Sequence, residues 1–260
     1  MRPEHRIKQH LMEKRAGLVP DHRIPAVVTH LRPTVNETFD TMPKPSSASR
    51  VPSAKSPFNT RATAVNPLND TIIFMESALE LKAGKILKTM DVVELREQVK
   101  IEWIDLDGVV HAHTFDFWIR KRCGKRVAIA VKPFGKLASK RLIDMLILIK
   151  DQGIGGIADD VSFITEHFAS EYAAANAEEI LFARRARNDA DVEDAKELLR
   201  QVKGRIRFGE LLKGLEIQAF RRTALWVLIG GEGWLRPVIP ARIEDHTLME
   251  VCPSQEGKSV

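Results

Sequence analysis

The sequence predicts an α/β protein: a mixed sheet flanked by helices, followed by a small C-terminal winged-helix-like module. Three observations predict it. His113-Thr114-Phe115-Asp116-Phe117-Trp118-Ile119 and Val127-Ala128-Ile129-Ala130-Val131-Lys132 alternate as the two strands of a hairpin, whose side chains point to opposite faces in turn. On both sides of that hairpin, apolar residues recur at three- and four-residue steps, the spacing of an amphipathic helix. From Asp189 onward helices dominate, and a short strand-like end follows.

Residues 1–70 read as a basic, flexible arm. Pro43 to Ser49 and Val51 to Pro57 have turn composition without periodicity. Leu11 to Ala16 is expected as a short helix, and the arm is expected to order on DNA or a partner protein. Residues 71–188 form the expected central domain. Asn69-Asp70-Thr71 offers a helix cap, and Ile72, Met75, Leu79, Ala83, Ile86 and Met90 mark one helix to Met90. Glu76 and Glu80 lie one turn apart on its adjoining face. Val92 to Ile104 alternates as a strand, with Glu97 in its apolar row; a carboxylate there needs a partner, a bulge or a function. Asp105-Leu106-Asp107-Gly108 turns the chain into Val109 to Arg120. Arg122 to Lys125 turns it again, and Pro133 ends the third strand.

Ser139 to Gln152 is expected as an apolar helix closed by Gly153-Ile154-Gly155-Gly156. These glycines follow a helix, which argues against a dinucleotide loop. Val161 to Thr165 reads as a last strand, and Glu171 to Arg187 as an Ala-rich helix whose terminal arginines suit the helix dipole. Residues 189–260 form the C-terminal module, with helices at Asp191–Lys203, Phe208–Leu215 and Ile217–Ile229 and a strand-like end at Thr247–Val251. Phe220-Arg221-Arg222 is its expected face toward DNA or a partner.

Composition narrows the function. The 260 residues carry a net charge of +5, and Arg120 to Arg141 holds nine basic residues and no acidic one. Such a stretch suits a polyanionic partner. No apolar run approaches the ~18 residues of a membrane span, and Met1 to Arg15 lacks a signal-peptide core. Cys123 and Cys252 are too far apart in sequence to suggest a metal spacing or a disulfide framework, so a reducing cytoplasm is expected. His111 and His113 read as packed histidines rather than zinc ligands, because no further His or Cys stands at ligand spacing.

If the hairpin turn centres on Gly124, Asp116 lies opposite Lys132, on the face away from Phe115, Phe117, Ile119, Val127, Ile129 and Val131. That odd-numbered set is the expected buried face. Phosphodiester hydrolysis needs an activated water and an offset for developing negative charge. Magnesium supplies both when two or three oxygen ligands hold it. Glu80 and Asp116 are the candidate ligands, and Lys132 the candidate stabilising cation. Arg120, Lys121, Arg122, Lys125, Lys136 and Lys140 are the candidate DNA-backbone contacts.

The order helix-Glu, strand, strand-Asp, strand-Lys, helix resembles the PD-(D/E)xK restriction-endonuclease-like superfamily. In detail it is similar to the TnsA endonucleases of heteromeric transposons. The residues that carry this are Ser77-Ala78-Leu79-Glu80, Val92-Val93-Glu94-Leu95-Arg96-Glu97-Gln98, His113-Thr114-Phe115-Asp116-Phe117 and Ala130-Val131-Lys132. Arg221 to Met249 resembles that family's C-terminal domain, and the likeness spans residues 70–251. It implies a restriction-endonuclease-like fold, Glu80 and Asp116 as metal ligands and Lys132 as catalytic lysine. It implies Mg2+, with Mn2+ able to substitute, and hydrolysis of double-stranded DNA at transposon 5′ ends. It further implies a DDE-type transposase and an ATP-dependent transposition regulator as partners, at the bacterial nucleoid. Two positions depart from the pattern. Phe115 replaces the usual Pro, and Ala130 replaces the usual Glu or Gln, which leaves the Val131 carbonyl, and Glu97 or Glu76, as replacement ligands. The alternatives are a catalytically impaired DNA-binding scaffold, or a superfamily nuclease of phage defence or repair.

Overall fold

The computed structural model describes residues 42–49, 61–137, 141–154, 156–215 and 217–252. The expected helix at Leu11–Ala16 and the candidate contact Lys140 lie outside them. Among the described residues no helix is long and apolar enough to cross a membrane.

The central element is a four-stranded mixed sheet in the order β3 (Val92–Ile104), β4 (Val110–Lys121), β5 (Arg126–Val131), β6 (Asp160–Ile164). β3, β4 and β5 are antiparallel neighbours, and β6 joins β5 in parallel. That parallel pairing requires a crossover, supplied by a 3-10 turn (Phe134–Lys136) and helix α2 (Leu142–Asp151). Helix α1 (Ala78–Thr89) precedes the sheet and α3 (Glu171–Arg185) follows it.

Helices cover both faces of the sheet. Leu95, Phe117, Ile119, Val127, Ile129 and Val131 pack with Ala83 and Leu87 of α1. Ile101, Phe115, Trp118, Ala128 and Ala130 pack with Leu142, Leu146 and Ile149 of α2. The expectation of one buried odd-numbered face is therefore corrected. The even positions Trp118, Ala128 and Ala130 are buried too, because the second helix layer needs its own apolar surface. Phe115 joins the α2 side while Phe117 joins the α1 side. Between their partners Val99 and Glu97 stands Gln98, held at φ +51°. A non-glycine residue there is strained.

Residues 71–75 correct a second expectation. The β-branched run of Thr71-Ile72-Ile73 forms strand β2 (Thr71–Met75), paired with β1 (Ala62–Asn66), rather than the first turns of a helix. Asn69 and Asp70 make the connecting turn, with Asp70 at φ +58°, so they do not cap α1. Part of the supposed arm is thus built into the fold. Lys44 donates its N–H to Asp70 O and accepts from Ile72 N–H, at 2.8 and 2.9 Å. The Ser49 N–H reaches the strained Gln98 carbonyl at 3.1 Å.

The C-terminal module runs α4 (Asp189–Gln201), β7 (Arg205–Arg207), a 3-10 turn (Phe208–Leu212), α5 (Gln218–Val227), a π turn (Leu228–Glu232), β8 (Leu235–Pro237) and β9 (Leu248–Val251). Its antiparallel sheet has the order β7-β9-β8. The strand β7 gave no sequence signal, being only three residues long. Leu199, Phe208, Leu225, Leu228, Leu235 and Met249 form its core together with Ile180 and Ala183 of α3. Helix α3 is therefore a wall shared with the sheet-bearing part. Its Arg184 does not serve its own helix end, as the sequence suggested. It donates to the carbonyls of Lys88 (2.9 Å) and Thr89 (2.6 Å) at the end of α1, and to that of Gly230.

Candidate functional site

Asp116 and Lys132 do meet, but not as directly opposed residues. Arg120 pairs with Arg126 and Phe117 with Ile129, a register that places Asp116 opposite Ala130. The turn is a three-residue loop in which Gly124 (φ +86°) takes the left-handed closing position rather than the centre. Lys132 is consequently a diagonal neighbour, and its Nζ lies 3.5 Å from Asp116 Oδ2. The same oxygen accepts the Val131 N–H at 2.7 Å. Asp116 is only 8% exposed. Burial raises its pKa, the Lys132 charge and the Val131 N–H oppose that rise, and the Glu76 charge adds to it.

Glu80 comes from the first turn of α1. Ser77 is the cap: its Oγ accepts the Glu80 N–H at 3.1 Å. The Glu80 carboxylate reaches back, accepting the Glu76 N–H at 2.7 Å and the Ser77 hydroxyl at 2.9 Å. This is a variant of the capping box in which Glu80 takes the N–H one residue before the cap; it is legible in Ser77-Ala78-Leu79-Glu80 as S-x-x-E, and sequence reasoning missed it in favour of Asn69-Asp70. The cap also accounts for the burial of Glu80, whose carboxylate it satisfies. Burial raises the Glu80 pKa first, and the Asp116 charge raises it further. Replacing Ser77 by Ala is expected to cost about 1 kcal/mol of stability, read as a lower urea midpoint at unchanged slope.

The structure therefore brings Glu80, Asp116 and Lys132 within electrostatic reach of one another, with Glu76 at the edge through Asp116. Glu97 has other partners. It is 1% exposed, accepts from Ser46 Oγ, and feels the Lys88 ammonium. Burial raises its pKa. Val131 serves Asp116 through its N–H.

His113, expected as a packed histidine, also joins this neighbourhood. Its ring stands edge-on to Phe115 at 4.7 Å, and its buried Nε2 has no hydrogen-bond partner among the described residues. Burial, then the Lys132 charge, lowers its pKa to about 4. The ring is expected to stay neutral from pH 8 to pH 5, which NMR titration of its ring protons would check. A histidine whose folded pKa is depressed supports the fold fully above its unfolded value near 6.5, and that support is lost as pH falls toward 4. His111 stacks on Trp103 and bonds Asp105 instead. Among the described residues no three His, Cys, Asp or Glu side chains converge as a preformed metal cage.

The basic stretch splits in two. Arg120, Arg122 and Lys125 sit toward the hairpin tip and are paired with Glu94, Asp91 and Asp160. Lys121 ends β4 beside them. The four strand residues from Asp116 to Arg120 span roughly 13 Å, so the tip stands apart from the carboxylates. Lys136 lies on the 3-10 turn just after Lys132. No family model matches the chain, and no curated protein matches it.

Proposed function

We propose that the chain is a TnsA-like, metal-dependent DNA endonuclease subunit of a heteromeric transposase, hydrolysing phosphodiesters at transposon 5′ ends. The observation that carries this reading is the meeting of Asp116 with Lys132 at the end of the hairpin, with the Glu80 carboxylate from α1 coupled to both. The order α1-β3-β4-β5-α2-β6, with one parallel pair, supports a restriction-endonuclease-like core. The order helix, strand, short helix, helix, strand, strand after Asn188 supports a winged-helix-like module, suited to DNA or to a transposase or regulator partner.

Mg2+ or Mn2+ fits the donor set. Two buried carboxylates, the Asp116 charge opposing ionisation of Glu80, are offset only in part by Lys132, and hard oxygens are what these ions take. Glu80 and Asp116 would hold it, and when bound it would lower the pKa of a water and offset charge on the phosphate. The Lys132 side chain stands beside Asp116, where it can stabilise charge developing on a phosphate oxygen. His113, neutral and desolvated, adds no second cation to that corner. Phe115 and Ala130 form dry wall behind it.

One observation favours the second reading, an impaired DNA-binding scaffold. Ala130, fully buried, occupies the position opposite Asp116. It contributes a methyl group where a further carboxylate or amide would add an oxygen. The deciding experiment is Mn2+ titration followed by cleavage of supercoiled plasmid DNA in Mn2+ or Mg2+. Lys132→Ala is expected to keep Mn2+ binding while cutting at least about 10²-fold more slowly. No Mn2+ binding by the wild-type chain, with DNA still retained, would leave the scaffold.

A further inference from the structure

A second site stands apart from the carboxylates, where the far end of α1 meets α3 and the β1–β2 hairpin. A cavity of about 450 Å3 opens there. Its apolar walls include Val65, Leu81 and Phe182, and Phe182 is 63% exposed. Three cations, Lys85, Lys88 and Arg185, and one carboxylate, Glu178, line it. Lys88 follows Glu80 by eight residues, roughly 12 Å along the helix, so the two sites are distinct.

Lys88 is the unusual member. It is 8% exposed, and its ammonium has no hydrogen bond or ion pair among the described residues. A lysine in a last helical turn often serves the helix dipole. Here that work is done by Arg184, whose guanidinium holds the Lys88 and Thr89 carbonyls. An ammonium this buried, met by no contact ion pair and offset only at longer range by Glu97, is costly, and such a group lining a cavity points to an anion. Nearby carboxylates answer two of the three cations and leave Arg185 over. Lys85 is answered by Glu178 at 2.9 Å, and Glu97 attracts Lys88 from inside the fold, whereas Arg185 has no carboxylate partner among the described residues. Burial, and the charges of Arg185 and Lys85, press the Lys88 pKa down to about 8.

We propose that this cavity binds a small organic anion, a phosphate or carboxylate on an apolar body, with Lys88 and Arg185 taking the anion and Leu81 and Phe182 the body. The volume lies within the ~300–1,000 Å3 of small-molecule sites, and one charged corner in an apolar pocket sets orientation.

The test is calorimetric titration of the full chain with phenyl phosphate and with benzoate, against inorganic phosphate and phenol as half-ligands. Saturable binding of at least one whole probe, tighter than either of its halves, is expected. Lys88→Met should weaken it at least tenfold, and Arg185→Gln, at an exposed position that leaves folding untouched, at least threefold. No saturation by either probe, or unchanged affinity in Arg185→Gln, would overturn the proposal. So would Lys88→Met weakening binding of a 20-base-pair duplex as much as binding of the probes, which would assign these cations to a DNA backbone instead.

Discussion

Asp116→Asn should lower metal-dependent DNA cleavage by about 10³-fold or more while making the metal-free protein more heat-stable at neutral pH. Asparagine keeps an oxygen for the Val131 N–H, so the strand end stays tied. What disappears is a buried charge that also disfavours ionisation of Glu80. Lys132 offsets that charge only partly, from a 3.5 Å contact whose ammonium side is a third exposed and so screened by solvent. Both carboxylates have folded pKa values raised above their ordinary 3.8 and 4.5. Groups shifted this way support the fold fully when protonated, below their unfolded values, and that support is lost as pH rises through the folded values. The ionised pair is therefore a cost at pH 7, and the variant escapes it. Thermal midpoints of wild type and variant should nearly coincide at pH 4 and separate by pH 7, the variant higher. Addition of Mn2+ at pH 7.5 should raise the wild-type midpoint and leave the variant where it is. A variant less stable than wild type at pH 7 would mean that the Lys132 contact outweighs the desolvation, and that the pair has no need of a cation.

The central sheet was legible because its signals are local. Alternation fixed β3, β4 and β5 almost to the residue, and the Asp105–Gly108 turn between the first two is held by the Asp105 carboxylate on the N–H groups of Asp107 and Val109. Asp116, Lys132 and Glu80 could be grouped from the order of helix and strands, although the strand pairing and the helix start read from the sequence were both corrected. Register was not legible, since a three-residue loop centred on Cys123 and one centred on Gly124 read alike in the sequence, and only the strand pairing separates them. Nor was the burial of both faces, because alanines at 128 and 130 read as neutral in an alternating pattern and become core only when α2 lies on them. The ion pairs that occupy Arg120, Arg122 and Lys125 come from Glu94, Asp91 and Asp160, distant in sequence. A run of basic residues therefore overstated the free positive surface.

Gly230→Ala should cost as much stability as emptying a core position, although residue 230 belongs to no candidate site. A Cβ built there would lie 2.0 Å from Ile180 Cγ2 and 2.9 Å from its Cγ1. Ile180 is buried in the C-terminal core and, being β-branched, has little rotamer freedom with which to retreat. Relief must come from parting α3 and the π turn that continues α5, at a cost of about 3 kcal/mol. Ile180→Ala alone should cost about 3 kcal/mol through the cavity it leaves. Together the two should cost less than their sum by at least about 1 kcal/mol, because each removes the reason for the other's penalty. Urea unfolding of the four proteins measures this directly, and strict additivity would refute the steric account. The consequence reaches the candidate site. Arg184 holds the Gly230 carbonyl and the last two carbonyls of α1 with one guanidinium, and Glu80 sits in the first turn of that helix. Moving α3 away from the π turn should loosen α1 as well, so Gly230→Ala should blunt the Mn2+-induced rise in thermal midpoint although no atom of residue 230 belongs to the carboxylate site.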